Sequence, residues 1–524
     1  MRSSQKTQKR LYRCYMKNLF KRTSKNILIA VIIGSALLTS VTAGVFLLTL
    51  NFDGIEFNGD SFVYFINAKH FSTSVAAHTL PRPAYWPYGY PALLSLSFVL
   101  GDVSYESARW VNVIVGGLLI ATLCSILFFI SKLKNWPFDQ TLLVILCVGL
   151  LPLGHGFFIK YQLTMMSDMT AVFLNALTML LCWQWRDSNK LIYILLAGLV
   201  FGLSLFTRYV NALMLLPVLV VLSSVIDFRQ TRFITRSIGV ALLFGIAALV
   251  VFVPQLYITL QDTSSTLGNS LLNGWDLKNF FTMVHESIDG SQPAKVPSIF
   301  YYFLLPFKLQ CFTPLGIILL GLGIKYSLRE LPRWFSGSMI VWYLVFYILL
   351  CGIPLQNGRI GFSLFLPVVI WMSLGLLECK LLWEKKFAKI VVLVSLVWCV
   401  SFVFSFKSVR DFVESKNELK LTAEIIAKEV PKASRIISTS PNAVYNAYPM
   451  TVESLSMYEI SIKEAEKLFA SRTPVFLAVD EKHFIPQWKK YPAGKCYDWI
   501  KSNYSCTFKF NVGEYTVYEV KNIK

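Results

Sequence analysis

Charge is what this chain has least of. Asp, Glu, Lys and Arg make up 15% of its residues, against about 25% in an ordinary soluble domain. Hydrophobic residues take their place at 55%, more than a water-soluble fold of 524 residues could hide. The same apolar content, with 15% aromatics, excludes intrinsic disorder. Histidine is nearly missing, at five residues, and there is no HExxH, no CxxC pair, no Walker-type glycine loop and no GxGxxG. Zinc proteolysis, ATP-driven transport and nucleotide cofactors therefore find no motif to rest on.

Long apolar runs are abundant. Ile27 to Leu50 is about 24 residues without a charge, and roughly 20 suffice to cross a bilayer. Nine Lys and Arg, from Arg2 to Lys25, precede it with no acid among them. This predicts an uncleaved signal anchor with the basic segment 1–26 in the cytoplasm. A DNA-binding arm is the rival reading of that segment, but no recognition fold follows it, so no nucleic acid is expected as a partner. Further runs at 105–131, 138–156, 165–185, 191–207, 209–226, 237–257, 308–327, 335–353, 360–378 and 388–406 bring the expected spans to eleven. Threaded alternately from a cytoplasmic start, they keep the cation-rich turns inside, Lys132, Lys134, Arg186, Lys190, Arg329 and Arg333 among them. The expectation is a polytopic α-helical protein of the plasma or inner membrane, with its membrane domain over 27–406 and residues 407–524 outside the cytoplasm.

Two outer segments are long, 51–104 and 259–307, and their mixture of aromatics, Pro and Gly suits interfacial helices and loops. The second is expected to act as a flap. Tyr88–Leu100 is apolar but about 13 residues long, which predicts a juxtamembrane helix rather than a span. The tail combines amphipathic stretches (Leu419–Val430, Ile462–Ala470) with β-type runs (Ser434–Ser438, Val475–Val479, Tyr515–Val520), the pattern of a small α/β domain. Cys496 and Cys506 lie there, and a disulfide between them would close a short loop in an oxidising compartment. The other eight cysteines read as small packing residues.

Against this background the isolated charges stand out. Asp53, Glu56 and Asp60 follow the anchor, and Asp60 opens a helical stretch through Tyr64, Ala68 and Phe71. A carboxylate at a membrane surface is partly desolvated, which strengthens it as a base; the plainer reading makes Asp60 a helix cap. Leu80 to Pro91 holds four prolines with Tyr85, Trp86, Tyr88 and Tyr90, and Arg82 among them. Such a stiff aromatic loop is either an interfacial anchor or one wall of a carbohydrate site. Asp168 sits at the outer end of the fourth span, where an acid is costly and functional unless a helix N-terminus relieves it. Arg208, Lys308 and Arg359, the last close to Gln356, are cations at span ends. They suit an anionic lipid headgroup, or they snorkel to the interface.

At these motifs the chain resembles the membrane-embedded glycosyltransferases of the GT-C fold, most of all the protein-mannosyltransferase and aminoarabinose-transferase branch. The resemblance runs the whole length: an anchor, then an outer-loop acid in Gly59-Asp60-Ser61, an aromatic-proline segment Trp86-Pro87-Tyr88-Gly89-Tyr90-Pro91, a second acid in Ser167-Asp168, a Thr207-Arg208 turn, and Gln356 with Arg359. The chain departs from the family at Ser61, where Glu is frequent, and at Ile360, where Tyr is usual. The resemblance implies inverting transfer of a sugar from a polyprenyl-phosphate carrier to a lipid, glycan or protein acceptor on the outer face. It implies Asp60 as general base, Asp168 as a second catalytic acid orienting the substrate, and Arg359, Lys308 and Arg208 around the donor phosphate. Tyr64, Arg82, Tyr85, Trp86, Tyr88, Tyr90 and Gln356 would line the substrate. No cofactor and no resident metal is expected, although Asp53, Asp60 and Asp168 could together hold a divalent cation. Three rivals remain: a transporter or flippase for a lipid-linked or anionic solute, which calls for charges near the bilayer midplane, a non-catalytic scaffold presenting the tail domain, and, within carbohydrate chemistry, a polymerase or ligase of surface glycans.

Overall fold

In a bilayer only a helix satisfies its own backbone, and all eleven apolar runs are helical through most of their described length. The computed structural model describes residues 2–54, 60–81, 86–224, 231–260, 274–287, 290–439, 453–458, 460–471 and 473–522. The helices are α1 (Arg2–Thr49), α2 (Asp60–Ala76), α3 (Gly89–Leu100), α4 (Trp110–Lys134), α5 (Phe138–Leu150), α6 (Gly156–Leu163), α7 (Ser167–Ser188) and α8 (Leu191–Thr207). They continue as α9 (Leu215–Ser223), α10 (Thr231–Leu260), α11 (Ser298–Leu304), α12 (Gly316–Glu330), α13 (Arg333–Gly352), α14 (Phe365–Leu382) and α15 (Phe387–Glu429). Among the described residues, six spans are long and apolar enough to cross a membrane, seven when the bent pair α6–α7 counts as one. Several of the eleven runs are shorter helices than their apolar length suggests, because tight turns consume their first residues: Tyr209–Met214 before α9 and Ile360–Leu364 before α14 are 3-10. Lys308, expected at the head of a span, lies in a turn well ahead of α12.

Glycine sets the closest helix approach. A Cβ on Gly323 of α12 would lie 1.6 Å from the Trp371 carbonyl of α14, and one on Gly375 of α14 would lie 2.1 Å from the Leu319 carbonyl. Small residues at such crossings let backbones meet without a side chain between them. Gly323→Ala is therefore expected to cost about 3 kcal/mol through overpacking and to lower the thermal unfolding midpoint in detergent. Gly321→Ala, with nothing within 4 Å, is the control, and equal midpoints for the two variants would remove this contact from the fold's requirements. Farther along the same helix pair, Glu378 is fully buried and takes both Arg329 Nη atoms (3.1 and 2.9 Å) and Lys325 Nζ (3.1 Å).

The tail is a five-stranded mixed sheet in the order β4-β3-β5-β7-β6, formed by β3 (Arg435–Ser438), β4 (Glu453–Ser456), β5 (Val475–Val479), β6 (Tyr504–Val512) and β7 (Tyr515–Asn522). β3 pairs in parallel with β4 and β5; β7 runs antiparallel to β5 and β6. Every residue of β5 is buried, as befits the central strand of a covered sheet. Helices α16 (Ile462–Phe469), α17 (Glu481–Trp488) and α18 (Pro492–Asn503) cover it, α16 opening with a Ser461–Glu464 capping box. Cys496 and Cys506 are separate thiols here, contrary to the disulfide expectation. Cys496 packs into the sheet core from α18, and Cys506 sits half-buried on β6 opposite Val520.

One helix joins the two parts. α15 runs 43 residues without a break; beyond Phe406 it still packs Val409 and Val413 against the anchor, α4 and α6 before its last turns lead to the sheet. There Lys420 Nζ pairs with Asp53 Oδ2 at 2.6 Å and Asn417 donates to the Leu50 carbonyl at 3.2 Å. Ala423 completes an apolar core with Phe62, Phe65, Leu94 and Met165. The segment after α10 contributes a hairpin, β1 (Val284–Ser287) with β2 (Gly290–Pro293), which meets α17 of the tail domain.

Candidate active site

At the sheet-bearing end of the bundle, four isolated charges from four elements form one chain of ion pairs. Asp60 opens α2; its Oδ2 takes Arg359 Nη2 at 2.7 Å. Arg359 Nε reaches Asp168 Oδ2 at 3.7 Å, an ionic contact too long for a hydrogen bond, and Asp168 Oδ1 accepts from Arg208 Nη1. Two carboxylates and two guanidiniums alternate, so the cluster is formally neutral. The side chains are not equally accessible: Asp168 is 4% exposed and Asp60 31%. Burial opposes the Arg359 charge, but Asp168 and Asp60 outweigh it and raise its pKa above the ordinary guanidinium value.

Each member has a local reason for its position. Asp168 is the second residue of α7, where the helix dipole favours an anion. α6 and α7 meet at 111°, and Asn112 of α4 secures the bend by donating to the Thr164 (2.5 Å) and Met166 (2.9 Å) carbonyls. Gly54, at φ +76°, brings its carbonyl to the Met165 N–H at 2.8 Å and ties the end of the anchor to the same bend. Arg208 ends α8, whose last turn touches α3: a Cβ on Gly89 would lie 2.5 Å from the Phe206 carbonyl. Arg359 is oriented by an Asn357 side chain that accepts from its backbone N–H at 2.9 Å, while its Nη1 contacts Met166 Sδ at 3.5 Å. A small cavity of about 30 Å³ lies beneath, between Asp168, Arg208, Asn211 and Ile360.

The aromatic segment forms the adjoining wall. Tyr64 Oη hydrogen-bonds Ser167 Oγ at 2.8 Å, and its ring meets Tyr90 edge-on at 5.1 Å and Trp86 at 6.1 Å. Burial pushes the Tyr64 hydroxyl up to about 12, so it is a neutral hydrogen-bonding group at any physiological pH. Tyr90 is raised as well, again by burial, and its hydroxyl sits beside Asn112. Tyr88 stacks near Phe71 at 5.7 Å and donates its N–H to Gln255 Oε1 at 2.9 Å. Arg82 and Tyr85 lie outside the described residues, as does Glu56.

Among the described residues, two of the expected site residues form no ion pair or hydrogen bond with the four charges. Lys308 has its ammonium over Tyr301 (4.9 Å) and Phe157 (5.8 Å), and Gln356 donates to the Val296 carbonyl at 2.7 Å. Asp53, engaged by Lys420, does not join Asp60 and Asp168, and Arg359 occupies the space between those two acids where a shared cation would sit. Asn112 and Gln255 were not singled out from the sequence; the available signal was a carboxamide inside an otherwise apolar run. Elsewhere, Asp480, His483 and Glu514 converge on the tail domain surface, where Asp480 caps α17 and Lys482 pairs with Glu514.

No protein-family model matches the chain, and no curated protein matches it by sequence. Solved structures do. ArnT from Cupriavidus metallidurans, in a crystal structure bound to undecaprenyl phosphate, aligns at a TM-score of 0.56 and 12% identity, over 91% of this chain and 97% of that one. The chain has the GT-C fold. The Archaeoglobus fulgidus oligosaccharyltransferase, crystallised with a tethered acceptor peptide containing the NVT sequon, aligns at 0.53 and 11% identity, over 93% of this chain and 74% of that one. At such identities the likeness carries the GT-C architecture, a polytopic helical bundle with a terminal sheet domain, and the chemistry has to be argued from the charges themselves.

Proposed function

We propose that the protein transfers a sugar from a polyprenyl-phosphate-linked donor to an acceptor at the extracytoplasmic face of the plasma or inner membrane. The observation that carries this reading is the Asp60–Arg359–Asp168–Arg208 chain, assembled beside an aromatic wall at one end of an apolar bundle. In this reading segment 1–26 is cytoplasmic, and the site and the 407–524 domain face outward. The donor brings its own leaving group and membrane anchor, so no nucleotide site is required. Asp60, the more exposed carboxylate, takes the proton of the acceptor hydroxyl or amine. The acceptor atom bonds to the anomeric carbon from one face as the carbon–oxygen bond to phosphate breaks on the other, inverting the centre. Arg359 receives the charge that develops on the leaving phosphate; its Nε–H is buried and has no hydrogen-bond partner among the described residues. Drawing Arg359 toward phosphate loosens its hold on Asp60, so donor binding itself readies the base. Asp168, held by Arg208, keeps the guanidinium in place.

That one lipid-phosphate-bound and one acceptor-bound protein share the architecture supports a lipid-linked donor and a separate acceptor. The described ion pairs sit at span ends rather than at mid-depth, which disfavours a transport pathway. Mass spectrometry of surface glycolipids and glycoproteins from cells with and without the gene tests the proposal. One acceptor class is expected to lose a single sugar. Identical profiles would remove the glycosyltransferase reading, whereas restoration by an Asp60→Asn copy would remove Asp60 as its base.

A further inference from the structure

The anchor helix α1 meets the bundle tightly around Ala36. A Cβ on Gly117 of α4 would lie 2.9 Å from the Ala36 carbonyl, and one on Gly149 of α5 would lie 2.8 Å from Ser35 Cβ. Ser40 donates its hydroxyl to the Val113 carbonyl of α4 at 3.1 Å. Toward the opposite end of the same helices a crevice of about 310 Å³ opens between α1, α4 and α7. Hydrocarbon makes up only part of its lining: Ile29, Ile33 and Phe128 share it with Ser125, Lys132 and Gln184. Gln184 lies on α7 about 24 Å along the axis from Asp168, at about 1.5 Å per residue, and none of the four site charges lines the crevice.

Two of these polar groups can be reached from the crevice and are unengaged. Gln184 is half-buried, and its carboxamide makes no hydrogen bond among the described residues. Lys132 is exposed, with its ammonium 4.3 Å from the Phe128 ring centroid. Among the described residues Lys132 has no carboxylate within 4.0 Å, whereas Lys134, two residues on, is held by Glu330 at 3.3 Å. Lys25 and Asp187 act on Lys132 from longer range with opposite signs, so the three together carry a net positive charge. Beside this mouth the α1 wall is apolar and open to the bilayer, with Ile29 40% and Ile33 53% exposed.

We propose that the crevice holds one anionic glycerophospholipid, with its phosphate on Lys132, its ester carbonyl or headgroup hydroxyl on Gln184, and an acyl chain along Ile29 and Ile33. A crevice of about 310 Å³ takes a headgroup and leaves the chains to the open wall. The carboxamide both donates and accepts, which suits a lipid that sets neutral polar groups a few bonds from its phosphate. An isoprenoid phosphate offers none, and a zwitterionic lipid brings an ammonium of its own against Lys132. In the topology proposed above this end lies at the cytoplasmic leaflet, so the lipid joins the anchor to α4 and α7 on the side away from the reaction. Binding itself does not depend on which side is the cytoplasm.

The test is native mass spectrometry of the full chain in detergent, equilibrated in parallel with vesicles of phosphatidylglycerol and of phosphatidylcholine. A stoichiometric phosphatidylglycerol is expected to stay bound and phosphatidylcholine to be lost. Lys132→Gln should weaken retention about fivefold, since a lysine near an anionic lipid contributes about 1 kcal/mol. Gln184→Met, which keeps the length of the side chain and removes its polar groups, should weaken it as well. Lys385→Gln, at an exposed lysine that does not line the crevice, should leave it unchanged. The comparison of the two lipids uses the unmodified protein, so a misfolded variant does not blunt it. Equal retention of the two lipids, no retained lipid, the same loss in Lys385→Gln as in Lys132→Gln, or displacement by an equimolar amount of undecaprenyl phosphate would each overturn the proposal.

Discussion

Asp60→Asn should lower glycosyl transfer on the order of 100- to 10,000-fold, the range for removing a placed general base, while expression and membrane insertion stay normal. The asparagine keeps the size of the side chain and its hydrogen-bond acceptor for Arg359, so the 2.7 Å contact weakens without leaving a hole. Asp168→Asn is a different experiment: that carboxylate is almost wholly buried between two guanidiniums, and its loss strands Arg208 and leaves Arg359 with Asp60 alone. The two variants therefore separate on a stability axis. Asp60→Asn should unfold at the temperature of the unmodified protein and Asp168→Asn below it. Near-normal turnover by Asp60→Asn, measured with a purified donor, would take Asp60 out of the chemistry.

Arg359→Gln carries the second large effect, and it is twofold. Removing the guanidinium withdraws the donor that faces the leaving phosphate, for which a loss on the order of 100- to 1,000-fold in kcat is usual. It also leaves Asp60 and one side of Asp168 without a cation. Breaking a buried ion pair costs about 3–5 kcal/mol, and the remaining Arg208 contact and the exposure of Asp60 put this case at the lower end. The double variant Asp60→Asn/Arg359→Gln should recover much of the stability and none of the activity. Arg359→Lys keeps the charge but cannot reach both acids with one ammonium, so it should fold better than the glutamine variant and still turn over slowly. Wild-type kcat in Arg359→Lys would rule out a bridging role.

The architecture was legible because apolar length and cation placement report directly on bilayer spans, and Val475–Val479 and Tyr515–Val520 carry strand character without ambiguity. Asp60, Asp168, Arg208 and Arg359 were legible as charges with nothing nearby in sequence to neutralise them. Their mutual pairing was not, because it depends on a 111° bend between α6 and α7 and on Asn112, which belongs to neither helix. Lys308 and Gln356 looked equivalent to the others by position along the chain. Which way they face is set by tertiary contacts with Phe157, Tyr301 and Val296 that no local pattern encodes. β6 escaped notice because most of its residues are half or fully exposed and alternation is weak at a sheet edge. The shortened helices follow from the 3-10 turns after Arg208 and Arg359, where the chain gives up helical length to aim a site charge.

The unbroken α15 makes the tail domain's orientation a matter of phase. Helix geometry advances about 100° and 1.5 Å per residue, so one residue inserted between the Ala423 contact and Glu429 would swing the whole sheet about a quarter-turn around the shaft. Seven inserted residues would return it almost to its original azimuth, about 10 Å higher. Within that last stretch of shaft, residue count is constrained far more tightly than residue identity, and only insertions close to a whole number of turns, such as seven, eleven or eighteen residues, keep the azimuth of the sheet domain.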